Sequence, residues 1–598
     1  MRVAIIGAGP SGLVTLKYLV TAHHSLGTKP VEVVLFEAED SIGGTFAHRT
    51  YEDAELVSSK QLTTFSDFRS NSDNPDFLST ERYLQYLHDY CTHFKLWPHI
   101  KLSSRVLSVR RRDGGGHRVS YINGVETVVH DCDANVPTSL HSSEFKTKSQ
   151  FGIDKTVLIL GSGETGMDVA YMAVNSPTKQ VLLSHRDGLL QRFAPIFRVP
   201  DPVILPILGN KPDPTRLNVP VDSSSASLFD TAYVHPRLRD HMLLWEYYDF
   251  FIKSTLWLVG GSKYGLGQFV GGISDKRYHA SKIFFNKSNK AMPYISAPYE
   301  KQQNSSLIQR IRSSIIQVPI SPTHGRHIDL APWPSHFDKA GTVNFTNNGR
   351  PEYARLSGET IRPDVVVFAT GYTQTFPFLS PDSNYHTPST LDTRSLFHSS
   401  DPTIGYIGFI RPSFGAIPLL SELQAQLWTL RLLSPSSLRP LSPKDEAHYK
   451  LHQEKSARIQ YGVDHESYAH QLALDMSATV GFWEVLKMGW DSDKDMEGAW
   501  YKLPLVWALG ANFNAKFRLK GPWEWNGAKR VLVEELWDTV ERRGGFFAGH
   551  ITLSGLPMLV FGTISLVLWM LDPLLVLFEG TGKKGGKLGK KPGPKSVM

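Results

Sequence analysis

Short apolar runs, each closed by a glycine turn, organise this chain. Val3-Ala4-Ile5-Ile6 leads into Gly7-Ala8-Gly9-Pro10-Ser11-Gly12, and Val157-Leu158-Ile159-Leu160 leads into Gly161-Ser162-Gly163-Glu164-Thr165-Gly166. A short unbroken apolar run predicts a strand buried on both faces. Helical patterns over 11–24 and 167–174 follow the two turns. Val31-Glu32-Val33-Val34-Leu35-Phe36 and Val181-Leu182-Leu183-Ser184-His185 predict the next strand of each unit, and Asp364 to Phe368 predicts another, ending in Ala369-Thr370-Gly371. Residues 80–96 read as a helix. Residues 105–130 alternate and carry Gly114-Gly115-Gly116 and Asn123-Gly124, which predicts a β-meander. Residues 404–428 predict strand, loop and helix. Residues 200–335, rich in Pro and aromatics without a simple period, read as a helical insertion, and 440–545 reads as mostly helical.

The two turns carry chemistry. In a G-x-G-x-x-G turn between strand and helix, the first glycine permits the turn, the second lets backbone approach a pyrophosphate, and the third lets helix pack on strand. Glu37 ends the second strand of the first unit, where an acid binds a ribose hydroxyl. At the matching place in the second unit stands Arg186, a cation suited to a 2′-phosphate and therefore to NADPH over NADH. Two dinucleotides in one chain are the layout of a flavoprotein reduced by a nicotinamide. Ile42-Gly43-Gly44-Thr45-Phe46 adds a turn where bare backbone can lie against a cofactor, and the Ala-Thr-Gly strand end brings Thr370 and Gly371 close to a nucleotide.

Charge changes this picture little. Of a formal net charge of +7, most sits in a tail where Lys583, Lys584, Lys587, Lys590, Lys591 and Lys595 meet no acid, so no nucleic-acid footprint is present. Two cysteines, Cys91 and Cys132, exclude a disulfide framework and point to a reducing compartment. The first strand starts at once, which leaves no room for a secretory signal. From Gly544 to Leu571 there is no Asp, Glu, Lys or Arg, and Ile551–Leu571 approaches the roughly 20 residues that span a bilayer. A single-pass anchor is expected, with a monotopic or re-entrant segment as the alternative because Pro557, Asp572 and Pro573 interrupt it.

Taken together, GAGPSG (7–12), FEAEDSIGGTF (36–46), SSKQLTTFSDF (58–68), GSGETGMDVA (161–170), VVFATGY (366–372), IGFIRPSFGAIPLLSELQAQ (407–426) and FRLKGPWEWNGA (517–528) resemble the flavin-containing monooxygenase family. The resemblance implies an α/β fold of two Rossmann-like domains, with the NADPH domain inserted in the FAD domain. The FAD domain would occupy 1–145 and 346–435, and the NADPH domain 146–345 with its helical insertion at 200–335. A helical region at 436–545, an anchor at 546–578 and a basic tail at 579–598 would follow. It also implies a chemistry: NADPH reduces FAD, the flavin and O2 form a C4a-hydroperoxide, and an amine nitrogen or sulfide takes the distal oxygen. The family's anchor implies attachment to the endoplasmic reticulum with the catalytic part in the cytosol.

Carried onto this chain, the resemblance gives Gly7, Gly9, Ser11 and Gly12 to the FAD pyrophosphate and Glu37 to its ribose. Thr45, Phe46, Lys60 and Leu62 would lie along FAD. Gly161, Gly163, Thr165, Gly166 and Asp168 would hold the NADPH pyrophosphate region, and Arg186 the 2′-phosphate. Thr370 and Gly371 would meet the second nucleotide or the flavin edge.

Two departures stand out. The family's flavin-side asparagine is Val57 here, so Ser58 or a backbone N–H takes its place, or NADPH is wasted as H2O2. The F-x-G-x-x-x-H signature survives only as His141-Ser142-Ser143-Glu144-Phe145, with Asn135 and Pro137 where Phe and Gly belong. A strand and the loop after it, roughly 20–30 residues near 130–137, are therefore expected to be missing from the flavin domain. Two other readings stay open: a Baeyer–Villiger-type enzyme acting on ketones, and an impaired pseudoenzyme.

Overall fold

The computed structural model describes residues 1–124, 138–186, 321–412, 415–451, 462–492, 495–541 and 555–582, with scattered positions between 222 and 307. Cys132, Asn135, Pro137, the rest of the expected deletion, most of the helical insertion, the start of the anchor and the lysine tail lie outside the described residues.

The first unit is built from β1 (Arg2–Ile6), α1 (Pro10–Leu26) and β2 (Glu32–Phe36). Pro10 stands in the first turn of α1, where its missing N–H costs nothing, and Gly27 closes the helix at φ 62°. β1 and β2 pair in parallel with Val3 opposite Val33 and Ile5 opposite Leu35, and β3 (Ile100–Lys101) extends the sheet in the order β1-β2-β3. Helix α2 (Thr80–His93) packs Tyr83, Leu87 and Tyr90 into the same core. It also buries Cys91, and burial pushes that thiol up to about 12, so it stays protonated. The expected meander is a hairpin of β4 (Ser104–Arg111) and β5 (His117–Asn123) turning at Gly114-Gly115-Gly116; its remainder lies outside the described residues.

The second unit is a parallel sheet of β6 (Thr138–His141), β7 (Thr156–Leu160), β8 (Gln180–His185), β9 (Ile328–Pro332) and β12 (Val365–Phe368), in the order β6-β12-β7-β8-β9. Helix α3 (Glu164–Asn175) follows the second glycine turn. β10 (Pro334–Phe337) and β11 (Val343–Phe345) form an antiparallel pair, and α4 (Pro351–Leu356) precedes β12. Thus β6 and β12, on either side of the 146–345 span, both supply this sheet.

Three sequence expectations change. Ile328–Pro332 falls in the expected helical insertion but forms strand β9, fully buried beside β8; its five residues are too few to show a period. Residues 404–409 form an irregular segment with a turn at 407–408 rather than a strand, and the Trp428 ring lies against Gly405, 2.8 Å from where a Cβ would stand. The helix expected after it is α5 (Ile417–Leu433).

The third change concerns the anchor. Among the described residues no helix is long and apolar enough to cross a membrane, so the spanning anchor and the membrane placement drawn from it gain no support. The apolar segment forms α6 (Leu556–Gly582), and one face of it is committed to the body of the protein. Phe561 and Ser565 are buried, Ser565 Oγ accepts from the His235 backbone N–H at 2.9 Å, Trp569 meets the His235 ring edge-on, and Asp572 pairs with Arg237.

The strands of the two sheets differ in cover. Every residue of β7 is buried between two neighbours, as a parallel strand requires. Among the described residues β1 pairs on one side only, and Ala4 and Ile6 on one face of it are exposed, Ile6 at 41%.

A buried charge cluster ties distant segments together. Tyr18 on α1 donates to Glu422 on α5 at 2.7 Å, and Glu422 also accepts from Ser66 and Asn514. Arg518 donates to the Tyr18 hydroxyl and to Ser66, and pairs with Asp67 at 3.2 Å; Lys17 closes on Asp67 at 2.5 Å. Burial alone would raise the Asp67 carboxyl, but the Lys17 and Arg518 cations reverse this and hold it below its ordinary value. Removing one partner of a buried pair leaves an uncompensated charge. Arg518→Met is therefore expected to lower unfolding stability by about 3–5 kcal/mol, read from denaturant unfolding; a loss below about 1 kcal/mol, the value of a surface pair, would show that the cluster is not a constraint.

Candidate functional site

The two glycine turns have the same geometry. Gly7 and Gly161 hold φ of 104° and 114°, a region closed to other residues without strain. A Cβ on Gly12 would lie 1.9 Å from the Gly7 carbonyl oxygen, and one on Gly166 would lie 1.9 Å from that of Gly161. Both third glycines are therefore obligatory for helix to meet strand. The middle glycines face open space. A Cβ on Gly163 would meet nothing within 4 Å, and one on Gly9 only the Cα of Gly44 at 3.9 Å. Such cradles, each at the N-terminus of a long helix (α1 and α3), fit a pyrophosphate lying on bare backbone.

Around the first turn, Glu37 stands where the sequence puts it. Its buried carboxylate accepts from the Ala8 N–H at 2.6 Å and the Glu39 N–H at 3.0 Å, which fixes it at the lip of the cradle. The Ser11 and Ser421 hydroxyls share a hydrogen bond of 2.9 Å, and a Cβ on Gly408 would run into Ser11 Oγ. The 407–426 segment thus closes onto the FAD-type turn. Gly43 and Gly44, at φ 112° and 56°, place Thr45 at the start of a single helical turn over Gly9. Phe46 packs its ring edge-on against Tyr83 at 4.9 Å.

The residues expected farther along this cofactor divide. Val57 is half-buried, and Ser58 shares a hydrogen bond of 2.9 Å with Thr63. Leu62 is fully buried in the core. Lys60 Nζ donates to the carbonyls of Asn71, Ser72 and Asn74, so its ammonium closes the 71–74 loop.

Around the second turn, Thr165 lies half-buried in the first turn of α3, and Asp168 accepts from the Tyr51 hydroxyl of the first unit at 2.8 Å. The Ala-Thr-Gly end of β12 belongs here. A Cβ on Gly161 would stand 2.5 Å from the Ala369 oxygen, so Thr370 and Gly371, the latter at φ 78°, leave the sheet against the second turn. Arg186, at the end of β8, is exposed, with its guanidinium 4.5 Å above the Trp333 ring. Beneath it His185 and Glu352, both fully buried, pair at 3.0 Å. Burial raises the Glu352 carboxyl, but the hydrogen bonds from His185, the backbone and Asn348 together with the His185 interaction hold it below its ordinary value. Sequence reasoning missed Trp333 and Glu352. What brings them here is the β8–β9 register and the return of α4, which no local pattern displays.

His141, the remnant of the F-x-G-x-x-x-H signature, shares a hydrogen bond with Ser143 at 2.9 Å and faces the Tyr372 ring edge-on; Arg49 lies 4.3 Å over the same ring. Phe145 is buried against Phe151, whereas Asn135 and Pro137 lie outside the described residues.

Comparison with known proteins agrees with this construction. A family model described as flavin-binding monooxygenase-like matches residues 1–121 and 356–543. Monooxygenase cfoE of Aspergillus candidus is 50% identical, covering 96% of this chain and 99% of its own length. Monooxygenase ptmN of Penicillium ochrochloron is 44% identical, covering 96% of both. Flavin-containing monooxygenase 5 of Rattus norvegicus is 23% identical, covering 89% of this chain and 91% of its own length. With two pyrophosphate cradles of matching shape, an acid beside one and a cation beside the other, the chain belongs to the flavin-binding monooxygenase-like family and takes FAD and NADPH as its cofactors.

Proposed function

We propose that this protein uses NADPH and O2 to oxygenate an amine nitrogen or a sulfide on a small molecule. The observation that carries the assignment is the pairing of the two cradles with residues of opposite charge, Glu37 at the first and Arg186 at the second. Held at the first cradle, FAD would supply the redox chemistry that activates O2, the source of the transferred oxygen atom. The balance is one substrate, one O2, one NADPH and one proton giving the oxygenated product, NADP+ and water. The chain's residues bind and orient. Gly9 and Gly163 offer backbone to the two pyrophosphates, Glu37 takes the ribose of FAD, and Arg186 takes the 2′-phosphate. Thr370 and Gly371 lie against the second turn, and Val57 and Ser58 stand in place of the family's flavin-side asparagine. Because the cofactor carries the chemistry, the protein needs a dry, correctly shaped pocket more than a proton-transfer triad.

A second reading, that the protein is impaired, is favoured by one observation: β1 is covered on one side only among the described residues, with Ala4 and Ile6 exposed. The Aspergillus candidus relative aligns over 597 residues while covering 96% of this chain, so it contributes residues that this chain lacks. A strand missing before residue 138 would leave β1 in this state.

Product analysis separates the readings. Purified protein given NADPH with an amine, a sulfide and a ketone is expected to yield N-oxide or sulfoxide at one NADPH per product. An ester or lactone from the ketone alone would replace this reading with the Baeyer–Villiger one, and NADPH consumption yielding only H2O2 would support impairment. The impaired reading is itself overturned by stoichiometric FAD in the purified chain. If FAD is low, inserting the relative's corresponding segment after Ala134 should restore it. The cradles are tested separately. Gly12→Ala is expected to abolish FAD retention on gel filtration. Gly166→Ala should keep FAD but weaken NADP+ binding by at least about tenfold, about 1.4 kcal/mol; equal loss of both ligands in both variants would contradict the assignment.

A further inference from the structure

We infer that Trp333 is a positioning residue for the 2′-phosphate end of NADPH, acting through Arg186, and that it contributes to the choice of NADPH over NADH. This rests on the reading of Arg186 given above and adds to it a residue that sequence and family resemblance leave unassigned.

The geometry comes from the sheet. β8 and β9 run parallel with His185 opposite Pro332, so the next residues, Arg186 and Trp333, leave the sheet side by side at its carboxyl edge. That edge is where parallel sheets of this kind bind nucleotides. The guanidinium lies 4.5 Å from the indole centroid. A solvated arginine loses rotamer freedom when a ligand fixes it. Contact with the indole face restricts the guanidinium beforehand and leaves N–H groups available. A phosphate needs those groups for two parallel hydrogen bonds.

The platform is itself held. The Trp333 carbonyl accepts from the Thr346 N–H at 2.9 Å, and the ring packs against the core formed by Leu158, Leu182 and Ala331. On the β8 side the buried His185–Glu352 pair joins the strand end to α4, and Asn348 donates to Glu352 at 3.3 Å. Among the described residues Arg186 pairs with no carboxylate, and it is exposed, so its N–H groups remain open to a ligand.

Calorimetry on the FAD-loaded protein with 2′-phospho-ADP-ribose and ADP-ribose, which differ only in the 2′-phosphate, tests this. Trp333→Leu is expected to weaken the first about three- to tenfold, the range of a cation–π contact, and the second by less than about twofold. Trp333→Phe should recover most of the difference. In steady state the KM for NADPH should rise and that for NADH should not. Trp333→Met, which keeps bulk and removes the π face, gives the same comparison if the leucine variant loses its flavin. Arg186→Ala is measured beside them. If it leaves the discrimination intact, the 2′-phosphate reading of Arg186 fails. If it abolishes the discrimination while the Trp333 variants do not, or if those variants weaken both ligands equally, the role of Trp333 alone is overturned.

Discussion

The structure depends on one constraint: a set of charges that cannot be left unpaired. Lys17, Asp67, Glu422 and Arg518 come from four separate stretches of chain; Lys17, Glu422 and Arg518 are buried and Asp67 nearly so. Each charge is tolerable only because the others stand beside it, so α1, the 58–69 segment, α5 and the 514–518 turn must arrive together. Arg69 repeats the device nearby, bridging the carbonyls of Gln61, Thr64 and Phe65 to Glu535. An apolar core of equal volume could match the stability, but it would not specify which segments meet. The same helices carry the site. The N-terminus of α1 is the first cradle, and the first turn of α5 closes on it through Ser421 and Ser11. The residues joined by the cluster also fall within the two stretches that match the family model, 1–121 and 356–543.

On this frame one turn geometry is used twice. Similar backbone angles at Gly7 and Gly161, and the same close approach at Gly12 and Gly166, give two cradles of like shape for a pyrophosphate. The two units differ at the end of the next strand. There Glu37 accepts hydrogen bonds and suits ribose hydroxyls, whereas Arg186 donates them and suits a phosphate. The strand end at Ala369 packs on the second turn and continues into the segment that returns to the first unit, so the two nucleotide sites share a mechanical link. Tyr51 adds another by bonding Asp168 across the units.

Much of this was legible in the sequence, because strand, turn and helix with three glycines is a local pattern. The positions of Glu37 and Arg186 follow from counting along the chain. The rest was hidden where the cause is non-local. β9 is a five-residue run whose strand character comes from pairing with β8. Trp333 and Glu352 reach Arg186 and His185 only through that pairing. Lys60 lies in a family motif, yet its ammonium is committed to three carbonyls of a neighbouring loop. The C-terminal apolar segment suggested a bilayer span by composition, but composition does not show that Ser565 and Asp572 bind the 235–237 segment. The strand expected from the sequence to be lost falls outside the described residues; among those described, β1 pairs on one side only.

The central claim is that the first cradle holds the flavin and the second holds the nicotinamide nucleotide that reduces it. Anaerobic titration of the FAD-loaded protein with NADPH, followed by flavin absorbance, tests it most directly. The account predicts that one equivalent of NADPH bleaches one flavin, with NADH needing a far higher concentration. A flavin that stays oxidised under excess NADPH, or that NADH reduces equally well, would contradict it.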